Sequence, residues 1–189
     1  MNTPEQLESL EGQQYLVLRP TGELADRFRA EQNDALVLSR LPHPYTGHVT
    51  LRGFYEPTRR ADLTALVRTW AMEQDPIEMT GEAIDSFPDP WQILILRLAR
   101  TDSLVSAYAT LTERLDATDF HRLGELPLDE WTFHMSVVYG KALSGADWTA
   151  IESARVSEFA HPVCETATQL ELVSYSNGAE RREVIPLGR

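Results

Sequence analysis

Lysine and cysteine are almost missing from this chain. Lys141 is the one lysine among 189 residues, and Cys164 is the one cysteine. A lone cysteine excludes an intrachain disulfide framework and suits a reducing compartment. Basic residues number 17 against 29 acidic ones, giving a net charge of −12. A surface that neutralises many phosphates needs dense lysine and arginine, so long nucleic acids are not expected as partners. A small pocket can still be positive inside an acidic protein, which leaves room for a nucleotide or a short RNA end. No run approaches the roughly 18 apolar residues of a membrane span, so no membrane association is expected. The opening MNTPEQLESLEGQQ is polar and acidic, unlike a secretory signal peptide. These features lead to the expectation of a cytoplasmic protein. The acidic, unpatterned surface gives no reason to expect more than a monomer.

What is present is a globular pattern, 42% hydrophobic and 24% charged. The length suffices for one sizeable core, or for two small lobes sharing a cleft. Residues 1–12 read as a loose or lightly helical lead-in. Tyr15–Arg19 reads as a strand, and Thr21 as the cap of a helix to Ser39 with Leu24 and Phe28 on one face. Leu63, Leu66, Val67, Trp70 and Ala71 recur at helical spacing and predict a helix over 61–74. A strand near 77–87 precedes the breaker Pro88-Asp89-Pro90. The order then repeats. Gln92–Leu98 is apolar on both faces and reads as a buried strand. A helix over 102–116 carries Leu104, Tyr108, Leu111 and Leu115. Ser144 caps a helix to about Phe159, with Asp147 at the acidic capping-box position. Strands near 165–175 and 182–187 flank the turn Ser176-Asn177-Gly178, and Pro186 points to an edge position.

Two tripeptides stand at matching places in this repeat. His48-Val49-Thr50 lies in GHVTLRGF, and His134-Met135-Ser136 lies in TFHMSVVY. In a strand, residues i and i+2 share a face, so each run presents an imidazole beside a hydroxyl. Two such units together supply two acid/base groups and two hydrogen-bond donors, equipment suited to a phosphate. Continued alternation carries Arg52 onto the same face, where its charge would balance the phosphate. Phe54 follows in that register, with core or rim packing favoured over stacking on a base.

These runs resemble the paired H-x-[ST]-hydrophobic motifs of the 2H phosphoesterase superfamily. The branch they are most similar to is the 2′-5′ RNA ligase-like, or cyclic phosphodiesterase, group. The resemblance covers roughly Gln13–Arg189. It implies an α+β, bilobal, pseudo-twofold duplicated fold, with two antiparallel sheets lining a central cleft and helices outside. The expected organisation is one domain over 1–189, made of lobes 13–90 and 91–189 whose closing strands are exchanged. The resemblance further implies chemistry on 2′,3′-cyclic phosphates or 2′-5′ phosphodiesters without metal or cofactor. By motif position the catalytic set is His48, Thr50, His134 and Ser136. The implied partner is a small nucleotide or an RNA 3′ end bearing a cyclic phosphate. The second motif departs from the first: Val137-Val138 follow it, with no basic residue equivalent to Arg52.

Hydrolysis of a cyclic phosphodiester needs a base on the attacking water and an acid on the departing ribose oxygen. Histidine serves either role near neutral pH. The hydroxyls of Thr50 and Ser136 would donate to the non-bridging oxygens. The sequence leaves the order of the two histidines open. It also leaves open 2′-5′ ligation at the same site, or a non-catalytic nucleotide-binding module. His43 reads as a solvated loop histidine, and His121 and His161 as structural. Cys164 reads as a buried, inert thiol, and Trp70 and Trp148 as core. Arg59-Arg60 and Arg181-Arg182 read as solvated, either pair being able to rim a nucleotide cleft. Loops 40–47, 76–90 and 117–131 are the expected specificity loops.

Overall fold

The computed structural model describes residues 4–39 and 46–188, so His43 lies outside the described residues. In chain order the elements are α1 (Pro4–Ser9), β1 (Gln13–Leu18), α2 (Glu23–Ser39), β2 (Val49–Tyr55), α3 (Arg60–Ala71), β3 (Ile77–Phe87) and β4 (Ile93–Leu98). Then follow α4 (Asp102–Asp116), β5 (Arg122–Leu123), β6 (His134–Tyr139), α5 (Gly145–Arg155), β7 (Ser157–Ala167), β8 (Gln169–Ser176) and β9 (Ala179–Pro186).

Local chemistry explains most boundaries. The Thr101 hydroxyl caps α4 by accepting from the Leu104 N–H, and Ser144 caps α5 by accepting from Asp147 N–H. The stripe Leu104, Tyr108, Leu111 and Leu115 is buried, as are Leu63, Val67 and Trp70 of α3. Burying each such side chain stabilises by about 1.5–3 kcal/mol. The start of α2 is held from outside. The carboxylate of Glu165 on β7 accepts the backbone N–H groups of Thr21 and Gly22. The expected helix to Phe159 stops at Arg155, because Val156 is extended and Ser157–Ala167 joins β3 as a strand.

Two antiparallel sheets carry the molecule. One has the order β5-β2-β1-β8-β9 and the other β6-β4-β3-β7. Neither closes on itself. The expected single strand over 165–175 is two strands, and the chain changes sheets at Thr168 between them. β3, from the first half, lies in the second sheet beside β4, while β8 and β9, from the second half, lie in the first beside β1. Pro186 sits on the edge strand β9, where its missing N–H costs no ladder bond. The pairs β1–β2 and β4–β6 correspond, and the motif strands β2 and β6 pack against each other where the sheets meet.

Cys164 does not follow the expectation of a buried thiol. β7 is an edge strand, and Cys164 lies on its exposed face, accepting a hydrogen bond from the Thr80 hydroxyl. Trp70 and Trp148 are in the core as expected.

Candidate active site

The two motif strands share an irregularity that alternation alone does not predict. On β2, Thr50 pairs with Val17 and Arg52 with Leu16, so Leu51 is an extra residue. On β6, Ser136 pairs with Ile95 and Val138 with Leu94, so Val137 is extra. Each strand therefore carries a β-bulge directly after its hydroxyl residue. A bulge kinks the strand and re-aims the side chains that follow. The carbonyl of Val137 accepts a hydrogen bond from Gln32 Nε2 of α2 at 3.1 Å, which satisfies the buried backbone there.

The bulge decides where Arg52 goes. Alternation was expected to bring it to the histidines, and the structure places it elsewhere. Arg52 is fully buried on the opposite side of β2. Its Nη1 pairs with Glu125 at 2.7 Å and donates to the Tyr108 hydroxyl, its Nη2 donates to Thr112, and its guanidinium lies over the Tyr108 ring. Phe54 goes the same way and is a core residue. On β6 the bulge has the converse effect, because Tyr139, three residues after Ser136, returns to the cavity.

A cavity of about 390 Å³ opens where the sheets meet. His48 and Thr50 of the first motif line it, with Ser136 of the second. His134 stands two residues before Ser136 on the same strand face, its ring edge-on to Phe87 at 4.9 Å between centroids. Of the four motif residues, His134 alone is not among those lining the cavity. Apart from Thr46, in the expected 40–47 loop, and Arg182, read as able to rim a nucleotide cleft, the rest of the wall was missed by sequence reasoning. The wall also comprises Ser9 at the end of α1 and Leu10 after it, Tyr15 and Val17 on β1 with Arg19 just beyond it, Val173 and Tyr175 on β8, and Glu180 and Arg182 on β9. The signal was present in the period-two spacing of Tyr15, Val17 and Arg19, but no motif singled it out. Of the expected specificity loops, 40–47 contributes Thr46 to the wall, its residues 40–45 lying outside the described residues, whereas 76–90 and 117–131 contribute none; α1 and the β8–β9 hairpin supply wall residues as well. Glu11 ties these two together, accepting from the N–H of Asn177 at the hairpin tip. His121 and His161 are not in the cavity wall.

Both histidines are held in the same way. His48 Nδ1 lies 3.0 Å from the carbonyl of Thr46, and His134 Nδ1 lies 2.8 Å from the carbonyl of Thr132. A carbonyl only accepts, so each Nδ1 carries the proton and each neutral ring keeps its lone pair on Nε2. Burial pushes both imidazoles below the ordinary histidine range. At His48 the Thr46 carbonyl and Glu180 oppose this, while Arg19 and His134 reinforce it. At His134 the Thr132 carbonyl is the opposing influence. Among the described residues, no group of three or more His, Cys, Asp or Glu side chains is arranged to hold a metal ion.

The chain belongs to the 2′-5′ RNA ligase superfamily, which it matches over residues 19–179. That membership supports phosphoesterase or ligase chemistry in general. The segment includes both motifs, whereas Ser9, Leu10, Tyr15, Val17, Glu180 and Arg182 of the wall fall outside it. No curated protein gives a significant sequence match. The fold is similar to that of the Thermus thermophilus protein TT0787, at 16% identity and a TM-score of 0.69, covering 93% of this chain and 98% of that one. It is also similar to Escherichia coli LigT complexed with NADP+, at 14% identity and a TM-score of 0.58, covering 95% and 99%. Kluyveromyces marxianus Usb1 is a third, at 10% identity and a TM-score of 0.54, covering 95% and 100%. No helix of the described residues is long and apolar enough to cross a membrane.

Proposed function

We propose that this protein is a metal-independent phosphodiesterase. In this reading it hydrolyses a 2′,3′-cyclic phosphate on a nucleotide or RNA end, or a 2′-5′ phosphodiester, by two-histidine acid/base catalysis. One observation carries the reading: two symmetric His-x-hydroxyl units, each with its Nδ1 anchored to the carbonyl two residues earlier. That anchoring leaves both Nε2 atoms for proton transfer. One neutral imidazole takes the proton of the attacking water, and the other, protonated, delivers one to the departing ribose oxygen. Thr50 and Ser136 donate to the non-bridging oxygens as negative charge develops there. His48, Thr50, His134 and Ser136 are the proposed catalytic set.

The substrate is proposed to be small. A cavity of about 390 Å³ lies at the low end of the size range of small-ligand sites. The tyrosines Tyr15, Tyr139 and Tyr175 on its wall offer faces and edges to a nucleobase. The LigT and Usb1 structures include complexes with 3′-AMP and with uridine monophosphate, which supports a nucleotide as ligand. The net charge of −12 argues against long RNA and so against ligation of large RNAs. The test is turnover of 2′,3′-cyclic mononucleotides in EDTA. Activity lost in both His48→Ala and His134→Ala supports the reading. Joining of RNA halves without cyclic phosphate hydrolysis favours ligation instead. Tight nucleotide binding with no turnover of either substrate leaves a binding module.

A further inference from the structure

The internal duplication reaches beyond the two tripeptides. On the first sheet, Val17 lies between Thr50 on one neighbouring strand and Glu171 on the other. On the second sheet, Ile95 lies between Ser136 and Asp85 in the same way. Two residues further along each central strand stands an arginine, Arg19 after β1 and Arg97 on β4. Arg97 pairs directly with His134 across the ladder, and Arg19 follows the Leu18–Val49 pair, level with His48. Each arginine binds a carboxylate of its own sheet, contributed by the other half of the chain: Arg19 Nε to Glu171 at 2.9 Å, and Arg97 Nη1 to Asp85 at 2.6 Å. Each sheet thus repeats a unit of hydroxyl, histidine, arginine and carboxylate.

The two arginines have diverged in charge. Arg97 is also bound by Glu82 and Glu158 through its remaining nitrogens, so three carboxylates surround one guanidinium. Its single positive charge is outweighed by those three carboxylates. Arg19 meets one carboxylate, and its Nη1 donates to the carbonyl of Gly47, the residue before His48. Among the described residues its Nη2 has no partner, and Arg19 lines the cavity. An anionic substrate between the two units therefore meets a usable guanidinium on one side only.

Resting on the phosphodiesterase reading above, we propose that Arg19 is a further residue of the phosphate site. It holds the His48 segment through Gly47 and directs its remaining N–H groups at the non-bridging phosphate oxygens. Arg19 fills the place that alternation had given to Arg52. Glu171 fixes the guanidinium plane, so the donors are pre-oriented before the anion arrives.

Calorimetric titration with inorganic phosphate tests this without turnover. Arg19→Met is expected to weaken phosphate binding about tenfold or more, the scale of a charged hydrogen bond. Arg19→Lys keeps the charge and stem but cannot hold Gly47 and a phosphate at once, so it is expected to recover part of that loss. A second readout is the NMR titration of the His48 ring. The charges facing that ring are Arg19 from β1, His134 from β6 and Glu180 from β9. Removing the Arg19 cation is expected to raise the His48 midpoint, while Arg19→Lys leaves it nearer wild type. Wild-type phosphate affinity in Arg19→Met overturns the proposal; if that variant does not fold, unchanged affinity in Arg19→Lys does the same. Phosphate binding that depends on Arg19, in a protein that turns over no cyclic phosphate, sinks the reaction and spares the site.

Discussion

A carbonyl oxygen has no proton to donate, and that constrains the rings of both motif histidines. The carbonyls of Thr46 and Thr132 each accept a hydrogen bond from Nδ1–H, which leaves Nε2 as the nitrogen available for proton transfer on both rings. Burial lowers the proton affinity of both imidazoles in the free protein. The acid role needs one of them charged and the base role needs the other neutral. A profile of kcat/KM against pH reports the free enzyme's groups. With both groups shifted down, its bell is expected to peak below about pH 6.5, the unperturbed histidine value; a peak well above neutrality would contradict the assignment. Truncating either histidine is expected to cost about 10²- to 10⁴-fold in kcat, and Thr50→Val or Ser136→Ala about 10²- to 10³-fold, measured on the same cyclic nucleotide. Arg52→Met belongs to stability instead. It removes a fully buried cation from Glu125, Tyr108 and Thr112, with an expected loss of about 3 kcal/mol in denaturant unfolding. Phosphate affinity of the folded fraction should be unchanged.

At the scale of elements, the bulges after Thr50 and Ser136 do the positioning. The second is fastened by Gln32, which is buried on α2 and donates to the carbonyl of Val137. Gln32→Met leaves that carbonyl buried and unpaired. The expected cost is about 1–3 kcal/mol in unfolding free energy, with a fall in kcat because Ser136 is the neighbouring residue. Wild-type stability would show that the bulge needs no such support. Much of this level was legible in the sequence. The helical stripes of α3 and α4, the cap at Ser144 and the two motif strands all follow from local periodicity and side-chain chemistry. The bulges were not legible, because an extra residue in a ladder is defined only by its partner strand. Arg52 was misplaced for that reason alone. The end of α5 and the long β7 were missed because pairing with β3 overrides a helical pattern that ran on to Phe159. Tyr15, Arg19, Tyr175 and Arg182 come from strands far apart in sequence, and only the sheet order brings them to one cavity.

The whole molecule is a duplicated scaffold used unequally. The repeated halves supply both histidines and both hydroxyls from the segment shared with the superfamily. Part of the wall around them, from α1, β1 and β9, lies outside that segment, and part, including Tyr175 on β8, lies within it. Chemistry is therefore expected to track the motifs, and substrate choice the wall. Tyr175→Ala should raise KM for a cyclic nucleotide several-fold with little change in kcat, since Tyr175 belongs to the wall on β8 and to neither motif strand; an equal fall in kcat would place Tyr175 in the chemistry. The acidic surface, at a net charge of −12, should keep affinity for long RNA low at physiological salt. The central claim is that both histidines act on one phosphate without a metal. It is tested most directly by following 2′,3′-cyclic nucleotide hydrolysis in EDTA with wild type, His48→Ala and His134→Ala side by side. The account predicts turnover by wild type and loss of at least about 10²-fold in each variant. Turnover abolished by EDTA, or activity retained in either variant, would contradict it.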